Sequence, residues 1–265
     1  VWGGLQAMLD CDVPIVAHEE DANLSAKGYM HEGATSACLG CLGIPSAAEE
    51  VMVARDLVLA EYTGGHLHVA HVSTQGSLKM IRDAKRQGLR VTCEVAPHHF
   101  ALTDKELARF DASYKMNPPL RTPADVEALL EGLADGTVDA IATDHAPHTL
   151  EDKDVELPIA AFGIIGLETA LPLTLELLVN RKVISLARAV ELLTSGPARC
   201  FHLDRQGLGS LAVGAPADFT LVDLEAKVAV DRAFIQSRSF NTPFKGWELP
   251  GRVLGTWVAG RKVWG

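Results

Sequence analysis

The feature that most constrains this chain is a construction repeated through its first two hundred residues: a short apolar run, a polar turn, then a stretch of helical periodicity. That alternation is the pattern of βα units around a parallel sheet, because strands covered on both faces are apolar throughout while the covering helices are apolar on one stripe. The first run, 13–18, is apolar until its last residue, His18. Further runs follow at 67–72, 90–96 and 139–143. Punctuation between them predicts the helices. Pro45 opens one that Gly64 and Gly65 close, and another occupies 77–87 and stops at Gly88. Thr122-Pro123 supplies a cap and a proline at the first helical position, with Asp125 in the first turn and Gly136 as the stop. Two more helical patterns lie near 166–180, where Pro172 predicts a kink, and 185–194. The residues between His18 and Pro45 read as a long polar loop.

From Gly207 the texture changes to short β-like runs, at 207–211, 217–222, 252–259 and 262–264, separated by Gly, Pro and Asp. The expected division is a catalytic barrel portion, 1–206, and a segment of a small β-domain, 207–265, that returns to the barrel. Four βα units are half of the eight that close a barrel. An open half leaves two strand edges and an inner face uncovered, so the expectation is that roughly a third of the natural protein precedes Val1.

Composition narrows the function. With 48% hydrophobic and 22% charged residues the chain can build a core, and a formal charge of −10 disfavours nucleic acid and anionic membranes, which both need a basic surface. No stretch approaches the roughly 18 apolar residues of a membrane span, and Val1-Trp2-Gly3-Gly4 has no signal-peptide character. A small-molecule substrate fits better. An odd number of scattered cysteines, at 11, 38, 41, 93 and 200, points to a reducing cytoplasm. Cys38-x-x-Cys41 lacks the second pair that a structural zinc site needs.

Three runs end at or beside residues that bind metals: His18, His71 and Asp144. In βα barrels the carboxyl ends of the strands converge, so residues remote in sequence can meet there. A single histidine at a strand end is ordinarily a hydrogen-bonded structural residue. Strand alternation puts His71 with Val69 on one face and His66 with His68 on the other, which predicts His71 as the ligand and His68 packed on the helix side. His98-His99, read as strand neighbours, face opposite ways, so at most one could reach a metal; a loop or supporting role is expected. Glu19-Glu20-Asp21 either orients His18 or is a solvated loop. Glu94 reads as a structural pair, and His31 and His202 as loop residues.

The phrases Ala17-His18-Glu19-Glu20-Asp21, His71-Val72-Ser73-Thr74, Cys93-Glu94-Val95-Ala96-Pro97-His98-His99, Lys115-Met116-Asn117-Pro118-Pro119-Leu120-Arg121 and Ala142-Thr143-Asp144-His145-Ala146-Pro147-His148 stand in the order and spacing of bacterial type I dihydroorotases. Phe162-Gly163-Ile164-Ile165-Gly166-Leu167-Glu168-Thr169 and Asn241-Thr242-Pro243-Phe244 do so too, and the chain resembles that family over nearly its whole length. Asp144-His145-Ala146-Pro147-His148 is the strongest phrase, since the related hydantoinases and allantoinases usually carry other residues after the aspartate.

The resemblance implies an α/β fold: the second half of a metal-dependent amidohydrolase (β/α)8 barrel, plus the C-terminal part of a small β-sandwich domain. It implies reversible, zinc-dependent cyclisation of N-carbamoyl-L-aspartate to L-dihydroorotate in pyrimidine biosynthesis, with one or two zinc ions. His18 and His71 would bind the second metal, and Asp144 would bind the first and shuttle the proton. Asn117 and His148 would hydrogen-bond the substrate, and backbone near Phe162 and Gly163 would read its pyrimidine edge. Taken alone, Asn117 before Pro118-Pro119 reads as an ordinary turn residue. A His-x-His pair, a bridging carboxylate and a carboxylate-binding arginine are expected upstream of Val1. A homodimer and association with aspartate carbamoyltransferase accompany the resemblance. Two rival readings are a hydantoinase or allantoinase, and a non-catalytic dihydroorotase-like scaffold for aspartate carbamoyltransferase; retention of His18, His71 and Asp144 argues against the scaffold.

Overall fold

Each of the four apolar runs forms a strand, and the four strands lie parallel in one sheet. In the computed structural model, which describes residues 1–7, 9 and 12–265, the strands are β1 (Ile15–Ala17), β2 (Met30–His31), β3 (Gly43–Ile44), β4 (Leu67–Val69), β5 (Val91–Val95), β6 (Ala140–Ile141), β7 (Phe219–Ala229), β8 (Glu248–Val258) and β9 (Arg261–Trp264). The main sheet has the order β1-β4-β5-β6. Its register aligns Val16 with His68 and His68 with Thr92. An antiparallel sheet, β7-β8-β9, ends the chain.

The caps fall where the sequence places them. The helix Ser46–Thr63 begins after Pro45 and ends at Gly64, whose φ of +72° suits glycine. Thr122 and Asp125 form a reciprocal capping box at the head of Pro123–Asp135. Leu67, Val69, Val91, Cys93 and Val95 are buried with Val53, Leu57, Leu78, Ile81, Leu129 and Leu133 of the covering helices. Each such aliphatic side chain contributes about 1.5–3 kcal/mol by leaving water.

The opposite face of the sheet corrects the sequence reading of His68. Its Nδ1 lies 2.8 Å from Thr92 Oγ1 and its Nε2 donates to Glu94 Oε2 at 3.1 Å, so His68 faces away from the helices, and Glu94 is its structural partner. Alternation fails as a guide to residue 71 because the strand stops at Val69 and His71 has a left-handed φ of +33°. Other runs also extend past their strands.

His98 and His99 are not strand neighbours either. Pro97 starts a helix, Pro97–Ala101, which buries both rings with their centroids 4.3 Å apart. The helix expected near 166–180 begins at Ala170, which puts Pro172 in its first turn, where no intrahelical donor is missed; it continues as a π-helix over Leu175–Asn180. The run 207–211 forms turns, with Gly207 and Gly209 at φ +82° and +74°. The polar loop after His18 contains the parallel pair β2-β3, so His31 is a buried strand residue. Cys38, Cys41, Cys93 and Cys200 are free thiols, and Cys11 lies outside the described residues.

The buried histidines make stability pH-dependent. Burial, helped by the neighbouring charge of His202, pushes His66 down to about 4, and burial pushes His99 down to about 4. An exposed imidazole protonates near 6.5, so the unfolded chain binds more protons between about pH 6.5 and about pH 4, and stability falls as pH drops through that window. The urea midpoint should be lower at about pH 5 than at about pH 7; equal midpoints would contradict this.

Candidate active site

The functional candidates gather where the parallel strands end. His18 follows β1 directly, His71 comes two residues after β4, and Asp144 three residues after β6. His71 and Asp144 both adopt left-handed backbone, with φ of +33° and +47°. Non-glycine residues hold that conformation at a cost of about 1–3 kcal/mol and concentrate at functional sites.

His18 and His71, 53 residues apart in the chain, meet with Nδ1 and Nε2 3.0 Å apart and their rings edge to face at 4.7 Å. Asp144 shares their field. Burial raises its carboxyl pKa, and the two imidazoles pull against that rise. Burial keeps the His71 pKa below the usual imidazole range, with Asp144 opposing.

The donor set suits a divalent cation. Two imidazole nitrogens on one tetrahedral zinc stand about 3.3 Å apart, which follows from bonds of about 2.0–2.1 Å, and the observed 3.0 Å is close to that edge. His71 Nδ1 is buried and has no hydrogen-bond partner among the described residues. Among those residues no three His, Cys, Asp or Glu side chains already form a metal cage.

Glu20 ties Asn117 to this pair. Its Oε2 accepts from His18 Nε2 at 3.1 Å and from Asn117 Nδ2 at 2.8 Å. Burial opposes ionisation of Glu20, but hydrogen bonds from Ser25, His18 and Asn117 outweigh it and keep the carboxyl pKa below its ordinary value. Of the two sequence readings of the acidic triplet, Glu20 orients His18, whereas Asp21 caps the helix Ala22–Ser25.

A second cluster brings His148, Phe162 and Gly163 together. His148 Nε2 donates to Phe162 O at 2.7 Å. Gly163 sits at φ +114°, and a Cβ there would stand 2.5 Å from that of Ala146, so only glycine fits. Its N–H donates to Lys115 O at 3.0 Å, and its carbonyl accepts from Lys153 Nζ at 3.0 Å and Asn241 Nδ2 at 3.2 Å. Of the backbone groups of these two residues, the Phe162 N–H alone has no partner among the described residues. His148, Lys153 and Asn241 line a cleft of about 690 Å³ with Arg238 and Lys245.

Sequence reasoning missed what lies under His71. The Glu49 carboxylate accepts from the Ser73 and Thr74 amides at 3.1 and 3.2 Å, and from the Ser73 hydroxyl. Arg121 Nη2 stands 3.6 Å from it. Arg121 Nη1 also donates to Ile44 O at 3.0 Å and His31 Nδ1 at 3.2 Å, and its Nε to Ser73 Oγ at 3.0 Å. The loop after His71 is thus pinned by a buried ion pair. Arg121 and Ser73 both stand in the motif phrases, whereas Glu49 lies within a helix and carries no sequence signal.

The amidohydrolase family profile matches residues 4–263. The chain belongs to the amidohydrolase family. Among relatives, this amidohydrolase is 51% identical over 253 residues to a dihydroorotase of Geobacillus sp. (strain WCH70), covering 96% of this chain and 58% of that protein. It is 55% identical over 253 residues to a dihydroorotase of Anaeromyxobacter dehalogenans (strain 2CP-C), covering 95% and 58%. The chain therefore spans about 58% of the length of these curated relatives. Among solved structures it resembles an L-hydantoinase (dihydropyrimidinase) from Arthrobacter aurescens, with TM-score 0.85 and 30% identity, covering 99% of this chain and 59% of that one. A D-hydantoinase structure matches with TM-score 0.87 and 26% identity over the same shares. The amidohydrolase has the α/β class that the sequence predicts: the parallel strands of a (β/α)8 barrel half, followed by an antiparallel sheet.

Proposed function

We propose that this amidohydrolase acts as a dihydroorotase, interconverting N-carbamoyl-L-aspartate and L-dihydroorotate in pyrimidine biosynthesis. The observation that carries the reading is the meeting of His18 and His71 beyond the strand ends, with Asp144 within their electrostatic reach and opening the phrase Asp144-His145-Ala146-Pro147-His148. Similarity to proteins named dihydroorotase supports the substrate. Of the two parts of the chain, 1–206 carries the chemistry and 207–265 is a β-domain segment.

In this reading the site takes one or two zinc ions, of which Asp144 would hold the first and His18 and His71 the second. Zinc, when bound, supplies Lewis acidity toward the ring carbonyl and makes a water-derived nucleophile available near neutral pH. Asp144 takes up the proton released by that nucleophile and delivers it to the departing ring nitrogen. Burial favours this, because a raised carboxyl pKa makes proton uptake easier. The lowered pKa of His71 keeps its imidazole neutral, the form that binds metal. Asn117, steadied by Glu20, and His148 hydrogen-bond the substrate, and the Phe162-Gly163 backbone reads its amide edge through the Phe162 N–H, which has no partner among the described residues. The enzyme is cytoplasmic and homodimeric in this reading, and associates with aspartate carbamoyltransferase.

The likeness to hydantoinase structures favours a second reading, a hydantoinase-type cyclic amidase. Turnover of dihydroorotate, hydantoin and allantoin by the natural full-length protein separates the two; preference for either of the latter removes the dihydroorotase reading. Replacing His18 or His71 with alanine should lower bound zinc by about one ion per chain. Unchanged stoichiometry in elemental analysis would remove the pair from the metal site.

A further inference from the structure

Two lysines passed over by the sequence reading grip the loop that carries Phe162 and Gly163. Lys153 ends the helix Leu150–Lys153 and is buried, and its Nζ donates to Ala161 O at 2.7 Å, Gly163 O at 3.0 Å and Lys115 O at 3.2 Å. Lys115 is buried too. Its Nζ donates to Leu157 O at 2.8 Å and Pro158 O at 3.1 Å, and lies 4.3 Å from the centre of the Phe162 ring. Among the described residues neither ammonium pairs with a carboxylate.

We infer that Lys153 is a positioning residue, which gathers the carbonyls of Lys115, Ala161 and Gly163 and thereby sets where the Phe162 N–H and the His148 ring meet the substrate. The inference rests on the reading of Phe162 and Gly163 as the edge that recognises the cyclic amide. Both lone pairs of the Gly163 carbonyl are engaged, by Lys153 and Asn241, and its N–H by Lys115 O, so neither flanking peptide can turn. That leaves Phe162 N–H as the backbone donor without a partner among the described residues, and His148 is tied to the same residue through Phe162 O.

The arrangement carries a cost. Burial, aided by the charge of Lys115, pulls the Lys153 pKa down to about 8, so the charged side chain is held against its solvation preference. An apolar side chain in its place would leave Ala161 O without a donor among the described residues, so satisfying these carbonyls and fixing the loop are one task of Lys153.

The test uses Lys153→Met in the natural full-length, zinc-loaded protein. The variant should raise KM for dihydroorotate at least tenfold with kcat within about threefold, and hydrogen exchange of the 161–163 amides should accelerate at least tenfold. Because Ala161 O loses its donor, thermal stability should fall by several degrees with the variant still folded at the assay temperature. Lys153→Gln, which still donates two hydrogen bonds, should fall between wild type and Lys153→Met on both measures. Unchanged KM and unchanged exchange in a folded variant would overturn the inference, as would a fall in kcat and stability at constant KM. If wild type does not turn over dihydroorotate while the variant still loosens 161–163, the proposed function falls and the grip on the loop stands. Wild type also offers a readout independent of folding in the variants: held by three carbonyls, the Nζ protons of Lys153 should exchange slowly enough for NMR detection, and exchange as fast as at a surface lysine would overturn the assignment.

Discussion

Asp144→Ala in the natural full-length protein should lower turnover of dihydroorotate by at least about a thousandfold while the protein remains folded. General acid–base catalysis contributes about 10²–10⁴-fold, and this carboxyl is also assigned to a metal, so the variant removes both contributions together. The fold should survive because Asp144 is only half-buried and lies in a loop beyond β6. Its φ of +47° is less comfortable for alanine than for aspartate, which adds a cost below about 2 kcal/mol. Asp144→Asn keeps the shape and tolerates this backbone conformation, yet cannot carry the proton. It should therefore lose nearly as much activity with wild-type stability. Circular dichroism and steady-state kinetics on both variants decide the matter, and either variant within tenfold of wild type would take Asp144 out of the mechanism.

Arg121→Met should destabilise the protein by about 3–5 kcal/mol. The guanidinium and the Glu49 carboxylate are both almost fully buried, and the arginine serves Ser73, Ile44 and His31 as well. Taking out one partner strands the other charge away from water, which is the expensive way to break such a pair. For a chain of this size the loss corresponds to roughly 10 °C in melting temperature, at about 2–4 °C per kcal/mol. Removing the charge on the other side as well, in Arg121→Met with Glu49→Gln, should recover part of the loss. A single variant that unfolds within 1 kcal/mol of wild type by urea titration would show that the pair is dispensable. Because Glu49 holds the Ser73 and Thr74 amides just beyond His71, the same variant should also bind zinc less tightly.

Signals acting over a few residues could be read directly. Pro45 and Gly64 bound a helix, Thr122 and Asp125 cap another, and the apolar runs at 13–18, 67–72, 90–96 and 139–143 each contain a strand of the parallel sheet. The motif phrases picked out His18, His71 and Asp144 before any coordinates, and His18 and His71 meet in space. The misreadings of His68 and of His98-His99 share one cause. Strand parity was carried past Val69 to His71, and strand geometry past Val95 to His98 and His99, although a left-handed residue and a helix-starting proline end the alternation in each case.

What the order of residues determined alone is the four parallel strands, the main helices with their caps and the identity of the chemical groups, because these follow from side-chain shape and from hydrogen bonds that close within one turn. Tertiary structure decided the partnerships: Glu20 with both His18 and Asn117, Glu49 with Arg121, Lys153 with three carbonyls. Glu20 with Asn117, Glu49 with Arg121 and Lys153 with Lys115 unite groups dozens of residues apart, and they form only when the sheet register and the burial of the intervening helices bring the loops to one place. Burial also sets the proton affinities of Asp144 and His71, since it depends on everything packed around them and on nothing adjacent in the chain.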